Sequence, residues 1–130
     1  MNITIDTSII LAVACGEPSR QRAIELTSGH ALIAPKSLHW EVGNALSAML
    51  KRQRITAAQA NLCIDSYRQI PIKLIDVDLK QAINLVKKLR IYAYDAYMLA
   101  CAQQWATPLL TLDDALKTHA EGLGIAVMEV

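Results

Sequence analysis

Along the chain, short apolar runs with a two-residue period alternate with longer stretches whose apolar positions recur every three or four residues, a pattern that predicts alternating strands and helices. Ile3 and Ile5 share one face of a first strand, which ends at Asp6. Asp6, Thr7 and Ser8 all suit the cap of a helix through SIILAVAC, which Gly16 and Pro18 stop. A second helix is expected over about residues 18–28, opening on Pro18 and closing at Gly29. ALIAP, residues 31–35, predicts the second strand. Pro35 closes it and opens a long helix, KSLHWEVGNALSAMLKR, on which Leu38, Val42, Ala45 and Met49 form the expected buried stripe.

Thr56 followed by Gln59 has the form of a capping box, so another helix is expected from about 57 to 69. KLIDV before Asp78 predicts a strand, and LKQAINLVKKL a helix over whose surface Leu79, Ile83, Val86 and Leu89 or Arg90 turn. Asp95 is expected to open the next helix, which packs Ala96, Leu99 and Ala100 toward a sheet. PLLTL then predicts a strand, DDALKTHAEGL a short helix and GIAVMEV a closing apolar strand. Strands separated by helices, with little hairpin chemistry between them, require crossover connections. The expected fold class is therefore α/β, with a central, mostly parallel sheet between two layers of helices.

A length of 130 residues suits a single domain, 1–130. With 53% hydrophobic and 19% charged residues, the chain has enough apolar material for a sizeable core and too little charge for a disordered one. A formal net charge of +1 argues against broad coating of nucleic acid, which needs many phosphate contacts, and leaves room for one local basic groove. Cys15, Cys63 and Cys101 lack the close spacing of a zinc knuckle and suit buried thiols in a reducing cytoplasm. The N-terminus has no basic leader, and the apolar run Ile9 to Cys15 falls far short of the roughly 20 residues that span a bilayer. The expected location is cytoplasmic, away from any membrane.

Four acids stand out against this background. Asp6 follows the first strand and Asp113 follows PLLTL, which places both at the carboxyl rim where open parallel sheets bind ligands. Asp95 heads a stretch, YAYDAYMLA, that is otherwise apolar or aromatic. Glu41 lies one turn into the long helix, bordering its inward stripe, with no Lys or Arg at the i+3 and i+4 positions, Asn44 and Ala45. Each acid has a bland use as a cap or a first-turn anion. Together they point to a site, because converging carboxylates raise one another's proton affinity and a hard divalent cation, Mg²⁺ or Mn²⁺, resolves that conflict. No GxGxxG or GxxxxGK[ST] follows a strand, Ser8 has no G-x-S-x-G setting, and His30, His39 and His119 lack zinc-ligand spacing.

Four blocks taken in order, ITIDTSIILAV, APKSLHWEVGNAL, YDAYMLACAQQWATPLLTLDDAL and the closing apolar segment, resemble the PIN-domain ribonucleases, specifically the small VapC-like toxins of bacterial toxin–antitoxin pairs. The resemblance implies a PIN-like three-layer α/β/α fold in which Asp6, Glu41, Asp95 and Asp113 line a metal pocket. It matches Asn44 to the asparagine of an E-V-x-N block, and Ser8 and Thr111 to polar residues that support the pocket. Leu112 stands where a smaller residue is usual, and LRIYAYDA lacks the usual glycine.

The implied activity is Mg²⁺- or Mn²⁺-dependent endonucleolytic cleavage of single-stranded or loop RNA, leaving 5′-phosphate and 3′-hydroxyl ends. Asp6 and Asp95 would hold the main ion, Glu41 and Asp113 would complete or orient its shell, and Thr7, Ser8, Asn44 and Thr111 would fix carboxylate rotamers. Lys36, Lys51, Arg52, Arg54, Lys87, Lys88 and Arg90 are candidates for steering the RNA backbone. Tyr94 and Tyr97 are open to three uses: closing the rim, stacking on RNA or filling space. The implied partners are RNA and a cognate antitoxin, and the alanine- and leucine-rich helices suit a homodimer. The alternatives are a non-catalytic PIN-like RNA-binding or regulatory domain and another metal-dependent phosphoryl-transfer enzyme.

Overall fold

The computed structural model describes residues 1–130. Four strands, β1 (Asn2–Ile5), β2 (Ala31–Pro35), β3 (Ile72–Ile75) and β4 (Leu109–Leu110), form one sheet in the order β3-β2-β1-β4. Every pairing is parallel, with Ile3 opposite Leu32, Thr4 opposite Leu109 and Leu32 opposite Ile72. The helices are α1 (Thr7–Ala14), α2 (Arg20–Thr27), α3 (Leu38–Lys51), α4 (Ala57–Gln69), α5 (Leu79–Leu89), α6 (Ala93–Trp105) and α7 (Asp114–Gly122). Helix α1 packs on α2, α3 and α4, while α6 packs on α5 and beneath β1 and β2, which gives the expected three-layer α/β/α arrangement.

A parallel sheet covered on both faces buries alternate residues on both sides. That is why Thr4, between Ile3 and Ile5, is as fully enclosed as they are. Its hydroxyl is satisfied by the Thr107 hydroxyl at 2.6 Å. Below the sheet, α6 buries Ala96, Met98, Leu99, Ala100, Cys101 and Ala102. The alanines let its backbone approach β1 and β2 closely, and the burial extends well beyond the single expected face.

Several boundaries differ from expectation. GIAVMEV does not form a strand: it makes one parallel bridge, Val127 to Leu109. The physical reason is its partner, because β4 has only two residues and offers no ladder to extend. Helix α2 starts at Arg20, two residues after Pro18. The buried stripe of α3 is Leu38, Val42 and Leu46, and Ala45 and Met49 are only partly covered. On α5 the buried residues are Ala82 and Leu85, whereas Leu79 and Ile83 are 60% and 50% exposed. Helix α6 begins at Ala93 with Tyr92 at its N-cap, so Asp95 neither opens nor caps it. No helix is long and apolar enough to cross a membrane.

Candidate active site

The carboxyl ends of the adjacent strands β1 and β4 deliver Asp6 and Asp113 to one rim. Both acids cap the helix that follows. Asp6 accepts from the Ile9 N–H at 3.3 Å and Asp113 from the Leu116 N–H at 3.1 Å. A hydroxyl network joins the two strand ends. Ser8 Oγ donates to Asp6 Oδ1 at 2.6 Å and Thr111 Oγ1 donates to Asp6 Oδ2 at 2.5 Å. Those hydroxyls are themselves fixed by β4's exit loop, because the Leu112 N–H donates to Ser8 Oγ at 2.9 Å and the Asp113 N–H to Thr111 Oγ1 at 3.0 Å. Leu112 thus contributes through its backbone, which is indifferent to the size of its side chain.

Glu41 stands in the first turn of α3, where Ser37 Oγ donates to its Oε2 at 3.2 Å. Asp95 stands in the first turn of α6 and, unlike Asp6 and Asp113, has its carboxylate free of capping. The four acids sense one another in a closed circuit. Burial pushes Asp6 up, against the hydrogen bonds from Ser8, Thr111 and Ile9, and Asp113 adds to the rise. Burial likewise pushes Glu41 up to about 7, against its bond from Ser37, with Asp6 and Asp95 contributing. Asp95 is raised by burial and by Asp113, and His119 opposes the rise.

This electrostatic proximity is not coordination. No three His, Cys, Asp or Glu side chains stand close enough together to hold a metal ion as they lie. Two of the four are turned back onto their own helix N-termini, and like charges sense one another well beyond the roughly 2.0–2.6 Å of a metal–oxygen bond. In kind the donors still fit a hard divalent cation, since all are carboxylate oxygens and three have a raised proton affinity. The Thr7 hydroxyl, next to Asp6, is buried with no hydrogen-bond partner. It therefore does not fix the Asp6 rotamer as expected, and it leaves an unmet polar atom in the first turn of α1.

The remaining candidates divide by position. Asn44 is exposed and bonds to no carboxylate. Lys87, Lys88 and Arg90 end α5, separated from α6 only by Ile91 and Tyr92. Lys36 follows β2 at the same rim and pairs with Asp76 at 3.0 Å. Lys51, Arg52 and Arg54 gather at the far end of α3, about 15 Å along the axis from Glu41. Two residues near the acids were missed in the sequence. Ser37 carries a signal, since it precedes Glu41 by one helical turn. His119 carries none, because only the packing of α7 brings it toward Asp95.

Residues 3–122 match the family model described as the PIN domain. A search of curated protein sequences gives no match. Solved structures similar in fold include PAE2754 of Pyrobaculum aerophilum, at TM-score 0.72 and 22% identity over 94% of this chain and 90% of that one. The VapC20 toxin of Mycobacterium tuberculosis, described as cleaving the sarcin–ricin loop, is similar at TM-score 0.69 and 13% identity over 98% and 99%. VapBC2 of Rickettsia felis, solved bound to a promoter DNA fragment, is similar at 0.69 and 17% over 98% of each chain.

Proposed function

Because the chain belongs to the PIN-domain family, we propose that it is a Mg²⁺- or Mn²⁺-dependent endoribonuclease that cuts single-stranded or loop RNA and acts as the toxin of a toxin–antitoxin pair. The observation that carries this is the circuit of Asp6, Glu41, Asp95 and Asp113 around the rim, in which burial and mutual repulsion hold three proton affinities high. The toxin assignment draws support from the similarity in fold to VapC20, a loop-cleaving toxin, and to VapBC2.

Asp6 and Asp95 would hold the ion, with Glu41 and Asp113 completing or orienting its shell. A bound cation of this class supplies the charge that steadies phosphoryl oxygens and acidifies a water. Ser8 and Thr111 hold both Asp6 oxygens in one orientation. Glu41 or Asp113 would accept the proton of the attacking water. In-line attack of that water on phosphorus would break the bond to the 3′ oxygen, which takes up a proton from solvent, leaving 5′-phosphate and 3′-hydroxyl ends. Exposed Trp40, Leu62, Leu79 and Ile83 offer apolar helix surface to an antitoxin or a second copy.

Purified protein incubated with a cellular RNA pool and Mg²⁺ or Mn²⁺ is expected to yield discrete ends of that polarity. Excess chelator and Asp95→Asn each abolish them while the fold is retained. Cleavage unchanged by chelation would overturn the metal assignment, and full activity in folded Asp95→Asn would overturn the role of that residue. The separation of the acids favours a second reading, a non-catalytic PIN-like domain. That reading requires RNA binding with no new ends under any divalent cation.

A further inference from the structure

A cleft of about 170 Å³ opens at the carboxyl ends of β2 and β3, beside the acidic rim. Pro35, Val77 and Tyr97 line it, together with Lys36 and Asp76. Its wall is tied to the acids through Ser37, which lines the cleft and donates to Glu41. The Lys36 ammonium stands 3.0 Å from Asp76 Oδ2, with the two side chains 62% and 83% exposed. An ion pair so exposed adds little to stability. The strand ends beneath it are already joined by the Lys36 N–H, which donates to the Ile75 carbonyl at 3.0 Å. Exchanging the pair's mutual bond for bonds to a ligand therefore costs the fold little.

We propose that this cleft is a subsite for one guanine base of the RNA, adjacent to the phosphate that is cut; this rests on the nuclease function proposed above. The volume lies below the roughly 300 Å³ at which drug-sized ligand sites begin and suits one flat ring system. Single-stranded RNA is read by splaying a base onto an aromatic ring and bonding its Watson–Crick edge. Tyr97 provides the ring and the Lys36–Asp76 pair faces the edge. Asp76 only accepts and Lys36 only donates. Among the four bases, guanine alone presents two adjacent donors beside an acceptor on that edge. N1–H and N2–H can engage both carboxylate oxygens, as a guanidinium does, while O6 takes a hydrogen bond from Lys36.

Two measurements on the whole chain and on Asp76→Asn test this. In the first, cut sites are mapped on a random-sequence RNA pool. The wild type is expected to favour guanine at one position flanking the cut by about tenfold or more, the scale of one good two-bond base contact. Asp76→Asn loses the preference, because its amide replaces one acceptor with a donor. In the second, guanosine, adenosine, cytidine and uridine monophosphates are titrated and followed by NMR without divalent cation. Guanosine monophosphate is expected to shift the Lys36, Asp76 and Val77 amides and the Tyr97 ring most, and Asp76→Asn to level the four responses. Cleavage without base preference, or a preference that survives Asp76→Asn, overturns the subsite and leaves the nuclease function standing. Guanosine-selective shifts in a protein that cuts no RNA support the base site and overturn the nuclease function. Equal shifts with all four nucleotides overturn the assignment to guanine.

Discussion

Asp6 is held by Ser8, Thr111 and the Ile9 N–H together, and the two hydroxyls are oriented by backbone donors of the opposite strand's exit loop. Thr111→Val keeps the shape and removes one link, so divalent-ion affinity or cleavage should fall about 10- to 100-fold with the fold intact. Calorimetric titration and kcat/KM measurements check it. The acids also set a pH dependence. Glu41 rises from an ordinary 4.5 to about 7 on folding, so between those values the folded chain binds more protons than the unfolded one. The stability it contributes is full below about 4.5 and is lost as pH rises through about 7. Asp6 and Asp95, raised likewise, act in the same sense. Melting temperature in chelator should therefore fall from pH 5 to pH 8, and Glu41→Gln should flatten that slope. An unchanged slope in the variant would refute the assignment.

Helix ends were readable where their signals are local. Thr56 and Gln59 form the expected reciprocal capping box of α4, because the two residues that bond are only three apart. Asp95 shows the opposite case. It resembles a cap in sequence, but the chain enters α6 two residues earlier and leaves its carboxylate for the rim. The connection before it has a structural cost. Arg90 ends α5 in the left-handed region at φ 54°, in the stretch where a glycine was missed in the sequence. A left-handed side chain costs about 1–2 kcal/mol and glycine returns roughly 0.4–1 kcal/mol of that through unfolded-state entropy. Arg90→Gly should thus stabilise the fold by about 0.5–1 kcal/mol in denaturant unfolding. If Arg90 steers RNA, the same variant should bind RNA more weakly, with a shallower salt dependence.

At the scale of the whole molecule, the parallel sheet decides where charge collects. Strand order β3-β2-β1-β4 puts the ends of β1 and β4 side by side, while α3 and α6 begin near the same rim. Four carboxylates far apart in the chain thereby share one electrostatic environment. A cation bound there stabilises the folded state by mass action, by about 2.7 kcal/mol at a hundredfold excess over its Kd. Mg²⁺ or Mn²⁺ should raise the melting temperature, more at pH 8 than at pH 5 because protons compete for the same oxygens. Asp6→Asn should remove most of the rise. Thermal melts with and without the cation check this, and a pH-independent rise that survives Asp6→Asn would place the ion elsewhere.

Taken alone, the sequence determined the α/β alternation, the starts of all seven helices to within two residues, and the acids worth testing. Those features depend on periodicity, caps and residue type within one or two turns. Tertiary structure alone decided the rest. It reduced GIAVMEV to a single bridge because β4 is too short to extend. It moved the stripe of α3 from Ala45 and Met49 to Leu46, and left the Thr7 hydroxyl unpaired while Thr111, 105 residues from Asp6, became its closest support. It also set the four acids within one another's field and turned two of them, Asp6 and Asp113, onto the N-termini of their own helices. Such outcomes depend on which elements meet, and local spacing carries no record of that.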